Sequence, residues 1–101
     1  MFTWTDEKNQ LNKKKHGFFL SEVVDVFNDP HLVEFYDQAH SSLDEDRFIN
    51  LGCLNNNTII LIVTVDKTNG DTQIITAREA TTKEQEAYHE HYRKSANGSG
   101  S

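Results

Sequence analysis

An α+β fold is predicted for this chain: two N-terminal helices packed on a small antiparallel meander, then a C-terminal helix. Three observations predict it. A polar helical segment ends at Gly17 with cations in its last turn, where glycine can take the left-handed conformation that stops a helix. Strand-like runs then occupy 47–54, 58–65 and 72–78, the last two joined through Asn69-Gly70, the strongest short hairpin signal. Finally, Thr81 and Glu84 stand at capping-box spacing ahead of a helical run.

The elements follow in order. Phe2-Thr3-Trp4 is a short opening strand, and Thr5 or Asp6 caps a helix running to about Lys15. Leu11 is the only strong apolar residue of that helix, so it should pack shallowly. Lys8, Asn12 and Lys15 fall on its Leu11 face by their i, i+4, i+7 spacing, whereas Lys13 and Lys14 face water. Ser21 is expected to cap a second short helix that sends Val23, Val24 and Phe27 to the core, and Asn28-Asp29-Pro30 ends it. Leu32 to Tyr36 reads as a strand. In the next strand, Arg47, Ile49, Leu51 and Cys53 share a face by alternation. Asn55-Asn56-Asn57 is a turn. Thr58 to Val65 is apolar without alternation, the pattern of a central strand covered on both faces. The last helix should reach about Lys94 and offers only Ala87, Tyr88 and Tyr92 for burial, so it is loosely held or completed by a partner.

A chain of 101 residues has room for one domain, assigned to 1–94, with 95–101 read as a flexible tail outside the fold. The apolar run Ile59 to Val63 is far too short to span a bilayer, and no charged-then-apolar leader opens the chain, so a cytosolic location is expected. Lone Cys53 rules out an internal disulfide and a cysteine-rich zinc ribbon. His89 and His91 diverge on their helix, so no metal or other cofactor is expected. A net charge of −6 argues against a general nucleic-acid binder. Its distribution is uneven: 1–17 carry four lysines against two acids, while 20–46 carry eight acids and no Lys or Arg. The acidic span either keeps a small protein soluble or meets a basic partner.

Taken in order, several short pieces resemble the BrnT family, the toxin half of a bacterial type II toxin–antitoxin pair. They are Phe2-x-Trp4, Asn12-x-x-Lys15-His16-Gly17, Phe19, Val26-Phe27 with Asp29-Pro30, His40-Ser41, Arg47-Phe48-Ile49 with Gly52, Thr64, and Ile74 to Ala80 followed by Glu84 and Tyr88. The match spans 2 to about 90, and it is the order and spacing that are specific. The resemblance implies a fold similar to the RelE ribonuclease toxins, ribonuclease activity, and neutralisation by a BrnA-type ribbon-helix-helix antitoxin. It also implies that DNA is met only indirectly, when the toxin–antitoxin complex represses its promoter, and that no membrane is involved. Family arginines are missing where Gln73 and Asp66 stand, with Lys67 the available substitute.

Metal-free RNA cleavage needs a base for the 2′-hydroxyl, cations around the phosphate, and an acid for the leaving 5′-oxygen. His16 and His40 are the candidate proton-transfer groups, since imidazole gives and takes protons near neutrality. Glu34 is a weaker candidate base. Arg47 and Arg78 suit bidentate phosphate contact, and Lys15 is the electrostatic neighbour of His16. Lys8, Asn12, Lys67 and Tyr88 are the expected RNA-binding residues, Tyr88 by stacking on a base. For the arginines the competing reading is a salt bridge with Asp44-Glu45-Asp46 or Glu79. Two functions follow: a metal-independent endoribonuclease, or a weakly catalytic homologue that mainly holds its antitoxin.

Overall fold

A computed structural model describes residues 1–55 and 58–98, with side chains described to Arg93 and Lys94 at the C-terminal end. Nine elements follow one another: β1 (Phe2–Thr3), α1 (Asp6–His16), α2 (Leu20–Val23), a 3₁₀ turn (Val24–Asn28), β2 (Val33–Tyr36), β3 (Asp46–Leu54), β4 (Thr58–Asp66), β5 (Thr72–Glu79) and α3 (Thr82–Gly98). The strands form one sheet in the order β1-β5-β4-β3-β2. β2 to β5 make the expected antiparallel meander, but β1 joins β5 in parallel, so the sheet is mixed. That parallel pair joins Phe2 to Thr72, far apart in the chain, which local sequence patterns do not encode. No helix among the described residues is long and apolar enough to cross a membrane.

β4 sits at the centre and is covered on both faces. One face, with Ile60, Ile62, Ile74 and Ala77, packs against Leu20, Val23 and Val26. The other, with Leu51, Ile59 and Leu61, packs against Tyr88 of α3. Ile74 and Ala77 share a face despite their odd separation because a bulge interrupts the β4–β5 register beside Thr64. Gly52 of β3 is required by packing: a Cβ there would come within 2.5 Å of Val26 Cγ1 and 2.8 Å of Leu32 Cδ1. The hairpin turn forms as expected, with Gly70 at φ +92°. The Asn55-Asn56-Asn57 turn lies partly outside the described residues; Asn55 has φ +50°.

The segment after Gly17 departs from expectation. Its helical N-cap is Phe19, whose N–H donates to the Glu22 carboxylate at 3.2 Å, so Ser21 is not the cap. One α turn passes into a 3₁₀ turn, whose three-residue period brings Val23 and Val26 to the same side. These two are fully buried, while Val24 and Phe27 are only partly so. Phe27 instead stacks on Phe2 of β1, ring centroids 4.2 Å apart. α3 begins with the predicted reciprocal cap: Thr81 N–H donates to Glu84 Oε1 at 2.8 Å and Glu84 N–H to Thr81 Oγ1 at 3.3 Å. Its backbone continues to Gly98, past the expected end near Lys94 and through the first residues of the expected tail; 99–101 lie outside the described residues.

α1 is held by amides. Thr5 Oγ1 accepts from Lys8 N–H at 3.1 Å, and Gly17, at φ +82°, donates to Lys13 O. Leu11 is 46% exposed, so the helix buries almost no apolar surface. Asn9 Oδ1 accepts from Leu20 N–H at 2.6 Å, tying α1 to α2. Asn12 is buried and saturated: its Nδ2 donates to Phe18 O and Ala77 O, both at 2.8 Å, and its Oδ1 accepts from Ala77 N–H at 3.0 Å and Thr76 Oγ1 at 2.9 Å. This corrects the expectation that Asn12 contacts RNA, because no polar group is left to offer. Removing the amide strands the buried Ala77 peptide, so Asn12→Ala should cost about 2–4 kcal/mol, given ~1–3 kcal/mol per unsatisfied buried group. Urea unfolding of the purified variant measures this; a loss below about 0.5 kcal/mol would remove Asn12 as the anchor of α1.

Candidate functional site

The register that turns Asn12 inward also places Lys8 and Lys15 one turn to either side of it. Between α1 and the bulged stretch of β5 lies a cleft of about 180 Å³, lined by Lys8, Lys15, His16, Leu11, Ile75 and Thr76 with Asn12 at its wall. Its charged lining is wholly basic in a chain whose net charge is −6. Lys13 belongs elsewhere, donating to Gly17 O and lying 5.3 Å above the Phe19 ring. The C-terminal end of α1 is the negative end of its dipole, which partly offsets the crowding of Lys13, Lys14, Lys15 and His16. Chemically, the cleft is a small anion site with a proton-transfer group at its rim.

The other candidates are not gathered there. Arg78 follows Ala77 on β5 and so points to the opposite sheet face, where α3 meets it. Its guanidinium holds the Glu84 carboxylate in a bidentate pair, at 2.8 and 3.0 Å. This pair and the Thr81 cap lower the Glu84 carboxyl from its ordinary 4.5 to about 2, against burial, and Glu84 raises Arg78 in turn. The partner is thus Glu84 rather than Glu79. Arg47 shares that face, being in line with Ile49 and Leu51 and opposite Val65. Two strands and four residues part it from Arg78, roughly 16 Å at ~4.8 Å per strand and ~3.3 Å per residue. Its guanidinium makes no hydrogen bond or ion pair among the described residues, and its Nε is buried without a partner. The expected bridge to Asp44-Glu45-Asp46 is therefore not found for Arg47; Glu45 pairs with Lys67 instead, at 3.1 Å. His40 Nδ1 lies 2.9 Å from the Asp37 carboxylate, in a turn that Ser41 stitches to the Arg47 backbone N–H.

Tyr88 is 4% exposed, and this corrects its expected role as a base-stacking surface. Its hydroxyl donates to Asp29 Oδ2 at 2.5 Å. Burial raises Asp29, but hydrogen bonds from Tyr88 and from the Cys53 and His31 N–H groups outweigh it and hold the carboxyl below its ordinary value. Burial and the Asp29 carboxylate push Tyr88 up, so it remains a neutral donor. Reading residue by residue missed this hub; the visible signal was Asp29-Pro30 with an acceptor side chain before the proline. Beside it lies a larger cavity of about 410 Å³, flanked by His31, His89 and Tyr92. Its one carboxylate is satisfied internally, so the smaller basic cleft is the better anion site.

Fold and cleft together describe a small α+β domain with a basic cleft, and residues 4–84 match the family model for "Ribonuclease toxin, BrnT, of type II toxin-antitoxin system". The chain belongs to the BrnT family of ribonuclease toxins. A similar solved structure is the 1.1 Å crystal structure of the Brucella abortus ribonuclease toxin BrnT, 23% identical, with a TM-score of 0.62, covering 81% of this chain and 99% of that one. At that identity the likeness establishes the fold. No curated protein matches the chain.

Because Glu84 is lowered in the folded state, its contribution to stability is present above pH 4.5 and fades as pH falls toward 2. Wild type should melt about 2–5 °C above Glu84→Gln at pH 6, the difference closing with acidification. Scanning calorimetry across that range tests it, and a gap independent of pH would remove the Arg78–Glu84 pair as its source.

Proposed function

We propose that this chain is an endoribonuclease toxin that cuts RNA in the cytoplasm without a metal, using the cleft between α1 and β5. The observation that carries this is that every charged or titratable residue lining the cleft is basic in an acidic protein. Lys8 and Lys15 hold the scissile phosphate and offset the charge that builds on it. As the 2′-oxygen attacks phosphorus, His16 moves the proton, either from the 2′-hydroxyl or to the departing 5′-oxygen. Arg47, whose guanidinium has no hydrogen-bond or ion-pair partner among the described residues, receives a neighbouring phosphate. Arg78 and Lys67 serve through structure, each committed to a glutamate, and His40 is similarly held by Asp37. Helices on both faces of an antiparallel meander fit the RelE-like toxin architecture. Neutralisation falls to a BrnA-type ribbon-helix-helix antitoxin, through which alone the complex meets promoter DNA.

One observation favours the second reading, an antitoxin-binding module of weak catalysis. Arg47, Arg78 and Lys67 do not line the cleft, and two of these three are already paired with glutamates. Mutation separates the readings. Lys15→Ala and His16→Ala should each lower RNA cleavage by about 100-fold or more, the usual scale for a proton-transfer group, and relieve growth arrest with an unchanged circular dichroism spectrum. Cleavage should persist in EDTA. Full toxicity in both variants removes the cleft assignment; activity that needs an added divalent ion removes the metal-free mechanism.

A further inference from the structure

β2 is the outermost strand on the side of the sheet away from β1. Apart from its pairing with β3, the backbone of 33–36 makes no hydrogen bond among the described residues. Such an edge is normally blunted by lysine, proline or a bulge. This one instead carries exposed aromatics on both faces, Phe35 at 46% and Tyr36 at 52%, with Leu43 fully exposed in the following loop. Phe35 also borders a groove of about 250 Å³ between β2 and α3, with Val33, Ala87 and His91 along it and the mutually paired Glu90 and Lys94 at its α3 wall. Around the edge stand Glu34, Asp37, Asp44, Glu45 and Asp46, and no Lys or Arg occurs from Gly17 to Asp46. Lys67 answers Glu45, and His40 answers Asp37 when protonated; among the described residues Glu34, Asp44 and Asp46 have no ion-pair partner.

An open, apolar, anionic strand edge selects its partner. RNA is repelled by the carboxylates, and a second copy would bring the same acids against themselves. What fits is an extended peptide carrying basic side chains and at least one apolar anchor, added beside β2 as a sixth strand. We propose that the β2 edge, with Phe35 and Tyr36, is the docking site for an extended basic segment of the cognate antitoxin. This rests on family membership, which supplies an antitoxin, and is independent of the RNA cleft.

The test is binding of purified toxin to its antitoxin by calorimetry, with amide hydrogen exchange on the complex. Phe35→Lys and Tyr36→Lys should each weaken binding by about 30-fold or more, as the loss of a buried aromatic anchor does, while toxicity and circular dichroism stay unchanged. Amides of 33–36 should gain protection in the complex, and affinity should fall with salt. Lys15→Ala, a variant of the cleft, should bind the antitoxin normally, so failure of the catalytic reading leaves this result intact. Unaltered affinity in both lysine variants, or no protection at 33–36, overturns the docking site. Concentration-dependent self-association lost in Phe35→Lys would assign the edge to a second copy and overturn it as well. Absence of any complex with wild type would remove the antitoxin reading itself and this site with it.

Discussion

The primary amide of Asn12 does for β5 what a neighbouring strand would otherwise do. It gives a donor and an acceptor to the two backbone groups of Ala77 at a point beyond the reach of β1, which pairs only with Thr72 and Gln73. α1 has almost no apolar face, and an eleven-residue helix of such polarity is marginal on its own. Hydrogen bonds from Asn9 and Asn12 therefore supply the docking that burial supplies for most helices. The basic cleft is a by-product of this arrangement. With Asn12 turned into the sheet edge, Lys8 and Lys15 must flank it, and the bulge in β5 brings Ile75 and Thr76 up as the opposing wall.

Charge is sorted across the molecule to a degree that net charge hides. Lys8, Lys15 and His16 gather at α1, whereas Lys67 and Arg78 are neutralised by glutamates. Acids gather along the β2 edge and the loop that follows. A polyanion approaching this protein meets an attractive field on one side and a repulsive one on the other, which orients encounter before any contact forms. Exposed aromatics occur on the repulsive side, where a protein partner with basic residues can use both features at once.

Strand positions, the Asn69-Gly70 hairpin, the Gly17 stop and the Thr81–Glu84 cap were legible because each rests on a local rule. The second helical segment was less so. A 3.6-residue period favoured Val23 and Phe27, but the chain tightens to a 3₁₀ turn and buries Val26 instead. At the site, helical spacing gives the shared face of Lys8, Leu11, Asn12 and Lys15 but makes Asn12 look like a ligand contact, whereas its amide is spent on Ala77 and Phe18. Tyr88 was misjudged in the same way: its partner Asp29 lies 59 positions distant in the chain.

Read alone, the residues give the order of elements, the central place of Thr58 to Val65 and the resemblance to BrnT toxins. These follow from periodicity, turn chemistry and motif spacing, all local or cumulative along the chain. Folding alone set β1 parallel to β5, gathered Lys8, Lys15 and His16 around a cleft that Arg47 and Arg78 do not line, and fixed which polar side chains are paired within the protein. An amide, phenol or guanidinium serves equally well as a structural tie or a ligand contact. Which it becomes depends on the groups that folding brings within hydrogen-bond distance, and in Asn12, Tyr88 and Arg78 those groups belong to the protein itself.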